Sequence, residues 1–112
     1  MKRGEVWLVN LDPTVGAEIQ KVRPVVILSS DLLGRLPLRV VVPVTDWKDR
    51  YSIASWMMRI DPDDRNGLEK ASAVDCFQPR SVSEQRFVRR LGCLNQKQMD
   101  GLIQRVWMVI QD

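Results

Sequence analysis

The sequence predicts a mainly β fold, a small barrel of curled antiparallel strands with a C-terminal α-helix. Three observations carry that expectation. Short apolar runs of period two recur between Gly, Pro and Asp punctuation. No long helical pattern separates them, which argues against alternating β–α–β units. Only from Asn95 onward does the apolar period change to about 3.6. At 112 residues the chain is expected to form one domain, residues 1–112.

Taken in order, Glu5–Leu11 reads as the first strand, with Trp7, Val9 and Leu11 on one face and Val6 and Leu8 on the other. Asp12-Pro13 ends it, because proline fixes its own backbone and restricts the residue before it. Thr14–Arg23 is polar and reads as a long loop. Pro24 then opens the run Val25-Val26-Ile27-Leu28, whose β-branched side chains suit a buried strand. Ser29-Ser30-Asp31 closes it, and Leu32–Pro37 is a loop or short helical turn. Arg39–Val44 is the third strand, expected to break or bulge near Pro43.

Thr45–Arg50 is polar apart from Trp47. Ser55–Ile60 follows as a strand, with Trp56, Met58 and Ile60 on one face, and Asp61–Gly67 is a charged turn in which glycine relieves a positive φ. Ala71–Phe77 supplies another strand, and a short extended piece around Arg80–Val82 and a final strand, Phe87–Leu91, complete the sheet. In the last segment Met99, Leu102, Ile103, Val106, Trp107 and Ile110 form one apolar stripe. Asn95 is its N-cap and Gln98 completes a capping box; Gly101 weakens the helix without breaking it. Trp7 and Trp107 fall on apolar faces and read as core, and Trp56 as core or interface.

The net charge of +3, from 17 Lys and Arg against 14 Asp and Glu, is too small to announce a nucleic-acid binder by itself. Most of the cations are arginines, whose planar donor fork matches phosphate, so a local cluster suffices to make a positive site. There is no histidine, and the two cysteines, Cys76 and Cys93, are far apart. That composition excludes a structural zinc site and imidazole-based catalysis and leaves the cysteines as buried thiols. No cofactor or metal is expected. No apolar run approaches the roughly 18 residues that span a bilayer, and no signal peptide precedes the first strand, so the expected location is cytoplasmic.

Arg23 stands out because it lies between a polar loop and a buried strand, where a guanidinium can stabilise charge on a phosphoryl oxygen. Its structural alternative is a salt bridge to Glu18 or Asp31. Thr45, just beyond a strand end, can donate to a phosphate or orient a ribose hydroxyl, or simply cap its own turn. Glu18 can accept a proton, hold Arg23, or stand solvated in its loop. Gln78 and Arg80 can present paired donors to a base or phosphate, or can serve a structural turn. Arg86, Arg89 and Arg90 form a charge run that is either a solvated face or an RNA track. Trp47 can stack on a base or pack against the protein. Large apolar groups on so small a domain also favour a homodimer face.

The stretch GEVWLVNLDPTVGAEIQKVRPVVILSSD closely resembles the MazF/PemK toxins of bacterial toxin–antitoxin pairs. The resemblance joins G-[DE]-[VI]-[WY] at a strand start, D-P-T-x-G-x-E in the next loop and R-P-V-V-[IV]-[LI] at the following strand. VVVPVT, D-R-N-G-L and Q-x-R-S-[VI] extend it over nearly the whole chain. It implies an SH3-like barrel of the PemK/CcdB-like toxin fold, a homodimer, and metal-independent, sequence-specific cleavage of single-stranded RNA, neutralised by a cognate antitoxin protein. By position it implies Arg23, Thr45 and Glu18 as catalytic residues and Gln78 and Arg80 as RNA contacts, to which Lys21 and Trp47 are added. Without imidazole, the expected chemistry is attack by the RNA's own 2′-hydroxyl, leaving a 2′,3′-cyclic phosphate and a 5′-hydroxyl. The same barrel resembles that of a gyrase-poisoning toxin, in which the Trp107 region would carry binding. A non-catalytic nucleic-acid-binding module is the third reading.

Overall fold

A computed structural model describes residues 1–33 and 35–111. Seven strands, β1 (Glu5–Asn10), β2 (Val22–Ile27), β3 (Leu38–Asp46), β4 (Met57–Ile60), β5 (Ser72–Asp75), β6 (Arg80–Ser83) and β7 (Phe87–Cys93), precede one helix, α1 (Gln96–Ile110). The strands neighbour one another in the order β4-β5-β3-β2-β1-β7, with β6 also on β3. Every pairing is antiparallel. The mainly β fold with a C-terminal helix is therefore the one the periodicities predict. No helix among the described residues is long and apolar enough to cross a membrane.

The sheet turns on β3. Its first half pairs with β6 from Leu38 to Val41, and its last residues pair with β5 from Val44 to Asp46. On the other edge β2 pairs with Val41–Pro43 only. The break expected at Pro43 does not occur; the strand runs straight through. Pro43 falls in the gap between the β6 and β5 pairings and on the last rung with β2, Val25↔Pro43, so a missing N–H there removes little from the ladders. Pro24 likewise does not open β2. The β1–β2 pairing continues through Leu8↔Pro24 to Asn10↔Val22, and a long antiparallel partner carries the strand two residues further than local propensity suggests. Arg23 and Thr45, both expected at loop margins, therefore lie inside strands.

Alternation along the strands creates two apolar clusters. Val6, Val26, Val42, Val44 and Val74 point to one, which Met99 and Leu102 of α1 cover. Val9, Leu11, Val25, Ile27, Val41 and Val82 point to the other, flanked by Trp7, Ile19 and Phe87. The helix begins with the expected capping box: Asn95 Oδ1 accepts from Gln98 N at 2.8 Å, and Gln98 Oε1 accepts from Asn95 N at 2.9 Å. Gly101 lets it lie close to β4, since a Cβ there would stand 3.3 Å from Met58 Sδ.

The expectation that Trp107 is core is overturned: it is 60% exposed, and Ile110 is 65% exposed. A helix of 15 residues is about 22 Å long, whereas a strand of 4 residues spans about 13 Å, and the last turns outrun the β4 support. Trp7 is half-buried, its Nε1 donating to Glu5 Oε1 at 3.1 Å, and it meets Phe87 edge-on.

The curl is held partly by a turn. Asn66 is fully buried; its Oδ1 accepts from Leu68 N at 3.0 Å and its Nδ2 donates to Asp61 O at 2.9 Å. This turn presses on β7, where Cys93 N donates to Arg65 O at 2.9 Å. The approach leaves no room for side chains: a Cβ on Gly92 would lie 2.0 Å from Arg65 O, and one on Gly67, at φ +68°, would lie 2.2 Å from Leu91 O. The D-R-N-G-L segment is thus a closure device linking the region after β4 to β7.

Candidate functional site

The arrangement around Arg23 follows from the two prolines. Pro24 lies one residue beyond the β2–β3 ladder, and Pro43 on its final rung. Continued two residues past that rung, the same register sets Arg23 opposite Thr45. Each is instead held from its other edge, Arg23 by Val9 of β1 and Thr45 by Ala73 of β5. Both have the parity of Val25 and Val41, so they extend the face of the second apolar cluster to its open end.

Arg23 is half-buried, and its Nε donates to Gln20 O at 3.2 Å. The alternative salt bridge to Glu18 or Asp31 does not form; among the described residues Arg23 makes no ion pair. Thr45 is half-buried, and its neighbour Asp46 is neutralised by Lys70 at 3.0 Å.

A concavity of about 400 Å³ opens beside this row, lined by Ala17, Glu18, Pro43, Phe77, Gln78, Pro79 and Arg80. It brings together Glu18, Gln78 and Arg80; Arg23 and Thr45 stand beyond Pro43 along the same strand face and do not line it. Glu18 accepts from Val15 N at 2.5 Å and is otherwise exposed. Gln78 is occupied on both sides of its amide: Oε1 accepts from Ile19 N at 2.9 Å, and Nε2 donates to Asp75 Oδ2 at 3.1 Å. Arg80 Nη1 donates to Leu11 O at 3.0 Å, so part of its fork anchors the end of β1. Lys21 is exposed in the left-handed region, at φ 71°, with its N–H donating to Asp12 Oδ1.

A slightly larger concavity, about 430 Å³, lies at the other end of β3 against Leu33, Leu36, Leu38 and Arg39. Its arginine is neutralised by Glu84 at 2.9 Å, and Lys2 and Asp31 also line it; in the smaller site Arg80 makes no ion pair among the described residues.

Trp47 is half-buried, edge-on to Tyr51 at 5.9 Å and under the Arg59 guanidinium at 5.1 Å. Arg59 is a residue that sequence reasoning missed. It pairs with Ala73, which pairs with Thr45, so the three share one row across β4, β5 and β3. The available signal was the polar phase of the fourth strand, opposite Met58 and Ile60. Of the Arg86-Arg89-Arg90 run, Arg86 donates to the carbonyls of Asn10 and Asp12, and Arg90 pairs with Glu5 at 2.9 Å. Arg89 is exposed.

One buried group borders the site, and a second lies behind it in the first apolar cluster. Burial pushes the Asp75 carboxyl above the usual aspartate range, against hydrogen bonds from Phe77 N and Gln78 that hold it down. Burial likewise pushes the Cys76 thiol up to about 12, which makes it a protonated core residue, without nucleophilic character.

Residues 2–110 match the family described as the PemK-like, MazF-like toxin of type II toxin–antitoxin systems. The chain belongs to this family. It is 41% identical over 83 residues to "Endoribonuclease PemK" of Escherichia coli, a match covering 73% of this chain and 60% of that protein, less than two thirds of its length. It is 31% identical over 101 residues to "Endoribonuclease EndoA" of Bacillus subtilis (strain 168), covering 89% of this chain and 85% of that protein. The crystal structure of MazF from Deinococcus radiodurans superposes with a TM-score of 0.80 at 19% identity, covering 98% of this chain and 96% of that one. That last likeness establishes a shared fold.

Proposed function

We propose that this chain is the endoribonuclease toxin of a toxin–antitoxin pair, and that it cuts single-stranded RNA at the Arg23–Thr45 face. The observation that carries the reading is an arginine with no carboxylate partner among the described residues, just past the end of the β2–β3 ladder and on the same face as Thr45. Family membership and the names of the two relatives support it.

The 2′-hydroxyl of the RNA attacks the adjacent phosphorus. Its proton leaves, the O2′–P bond forms, and the P–O5′ bond breaks as O5′ takes up a proton. The products are a 2′,3′-cyclic phosphate and a 5′-hydroxyl, and DNA, lacking the attacking group, is not a substrate. Arg23 stabilises the charge that gathers on the phosphoryl oxygens. Thr45 orients the phosphate. Glu18 organises the loop beside the site or accepts the proton, with Lys21, Arg80 and Trp47 along the RNA path. Gln78 joins them as a loop anchor whose amide is already engaged. The active species is a homodimer, and a cognate antitoxin blocks it.

Incubation of purified protein with a long RNA in EDTA, followed by mapping of ends, tests the reading. Cuts at a defined sequence with 5′-hydroxyl ends are expected. Intact RNA in the presence of a folded protein would turn the exposed Trp107 and Ile110 into the working surface of a toxin that binds a protein target, such as gyrase. Retention of bound but uncut RNA would identify a non-catalytic module.

A further inference from the structure

We propose that Asp75 is a positioning residue that fixes the polarity of the Gln78 amide, and thereby latches the β1–β2 loop beside the Arg23–Thr45 face. The functional part of this inference rests on the proposed cleavage of RNA at that face; its structural part does not.

Asp75 is 5% exposed, the carboxylate among the three buried polar residues Asn66, Ser72 and Asp75. No ion pair compensates it among the described residues. A buried charge without a cation is costly, and what it receives instead is two N–H donors. Oδ1 accepts from Phe77 N at 3.0 Å and Oδ2 accepts from Gln78 Nε2 at 3.1 Å. Asp75 has the parity of Ala73, the partner of Thr45, so it lies on the site face of β5 while Val74 and Cys76 turn into the first cluster.

An ionised carboxylate only accepts. The NH₂ end of Gln78 must therefore turn toward Asp75, which leaves the amide oxygen for the loop. That oxygen takes Ile19 N at 2.9 Å, and Nε2 also points at Ala17 O, 3.4 Å away. Among the described residues, these are the hydrogen bonds that tie Thr14–Gln20 to a distant strand or turn; Val15 and Glu18 bond only each other. The Ile19 side chain packs against the second apolar cluster; the orientation of one side-chain amide decides whether the middle of the loop also has a hydrogen-bond partner on the barrel. Ala17, whose carbonyl makes the second contact, and Glu18, next to Ile19, are among the residues that line the concavity at Pro43.

Asparagine at position 75 breaks this logic without changing shape. Its oxygen still serves Phe77 N, but its NH₂ then faces the Gln78 NH₂. Rotation of Gln78 relieves that clash and creates another, NH₂ against Ile19 N–H. Reversing both groups repairs the chain: in Asp75→Asn/Gln78→Glu, the asparagine donates to one glutamate oxygen and Ile19 N donates to the other.

Amide hydrogen exchange at Ile19, read without RNA, tests the latch directly. Asp75→Asn is expected to speed Ile19 exchange about ten- to a hundredfold, the equivalent of one hydrogen bond with a charged or buried partner. It should raise KM for RNA about tenfold at nearly unchanged kcat, with exchange in β1–β3 unaltered. The double reversal should bring Ile19 back to within about threefold of the parent, since only the long contact to Ala17 is lost. Unchanged Ile19 protection in Asp75→Asn, or a double variant no better than the single one, overturns the proposal. Should Asp75→Asn fail to fold, Gln78→Met leaves the carboxylate in place, and an Ile19 amide as protected there as in the parent overturns the proposal equally. Loss of the RNA reading leaves the exchange result standing, and the reverse also holds.

Discussion

An arginine lies near each end of β3, Arg39 on the strand itself and Arg23 on the neighbouring β2, and the two are treated differently. At the Leu38–Val41 end, β6 and the turn after it bring Glu84 to Arg39: Nη2 pairs at 2.9 Å while Nη1 donates to the carbonyls of Leu36 and Leu38. At the Val44–Asp46 end the neighbour is β5, which sets Ala73 beside Thr45, and Arg23 across the parted strands has one carbonyl bond. Composition does not distinguish these arginines. What distinguishes them is what meets the free edge of β3: the turn after β6 carries Glu84 to Arg39, whereas β5 sets Ala73 beside Thr45 and brings no carboxylate to Arg23.

The sharpest way to break the comparison is to truncate both. Arg23→Ala should lower kcat for RNA cleavage about 10²–10³-fold, the scale of a lost donor to a developing oxyanion, with the thermal transition unchanged; Arg39→Ala should leave cleavage at the parent rate. Equal rates in the two variants would sink the assignment. Thr45→Ala, which removes an orienting hydroxyl and keeps the strand, should cost about tenfold or more in kcat. Purified Arg23→Ala and Thr45→Ala that both cut normally would place the chemistry elsewhere.

Arg59→Ala probes how far the open row reaches. Losing a cation over Trp47, worth about 0.5–1 kcal/mol at exposed sites, should weaken RNA binding about threefold in a salt titration and leave kcat alone. For the closed end, Arg39→Ala should cost about 0.5–1 kcal/mol of unfolding free energy, measured by denaturant titration.

The pH dependence of stability separates two carboxylates with opposite shifts. Burial raises Asp75, so the native state holds its proton more tightly than the unfolded chain. Its contribution is fully present below the ordinary value of 3.8 and is lost as pH rises through the higher native pKa. Burial alone would raise Glu5 too, but hydrogen bonds from Lys2 N, Trp7 and Arg90, with the N-terminal charge, hold it below 4.5. Its contribution is present above 4.5 and is lost as pH falls through the native value. Denaturation of Asp75→Asn across this range should therefore show the parent losing ground to the variant as pH rises; a constant difference would mean that Asp75 does not titrate as burial dictates.

Much of the architecture is legible along the chain. Alternation and β-branched apolar runs locate the strands, and the Asn95–Gln98 pair marks the helix start that the structure shows. The misreadings share a cause. Pro24 and Pro43 read as local breakers, but whether a missing N–H matters depends on which neighbour would have received it. Trp107 reads as core because periodicity gives the phase of a helix and not the length of the surface beneath it. Gln78 reads as a donor for RNA, while its partners, Asp75 and Ile19, lie on β5 and in a loop from the other half of the chain. Arg59 escapes notice on the polar phase of a strand whose apolar phase draws attention.

The sequence by itself determined the elements, their inner faces and the family, because backbone period, capping and motif are properties of neighbours in the chain. Tertiary structure decided which polar groups are spoken for. It turned Gln78, Arg86 and Arg39 to carbonyls, an amide and carboxylates, and it left Arg23 and Thr45 on one face past the end of the β2–β3 ladder. The physical reason is range: a side chain's phase is set within a few residues, but its hydrogen-bond partner is set by register between strands that meet only when the sheet curls.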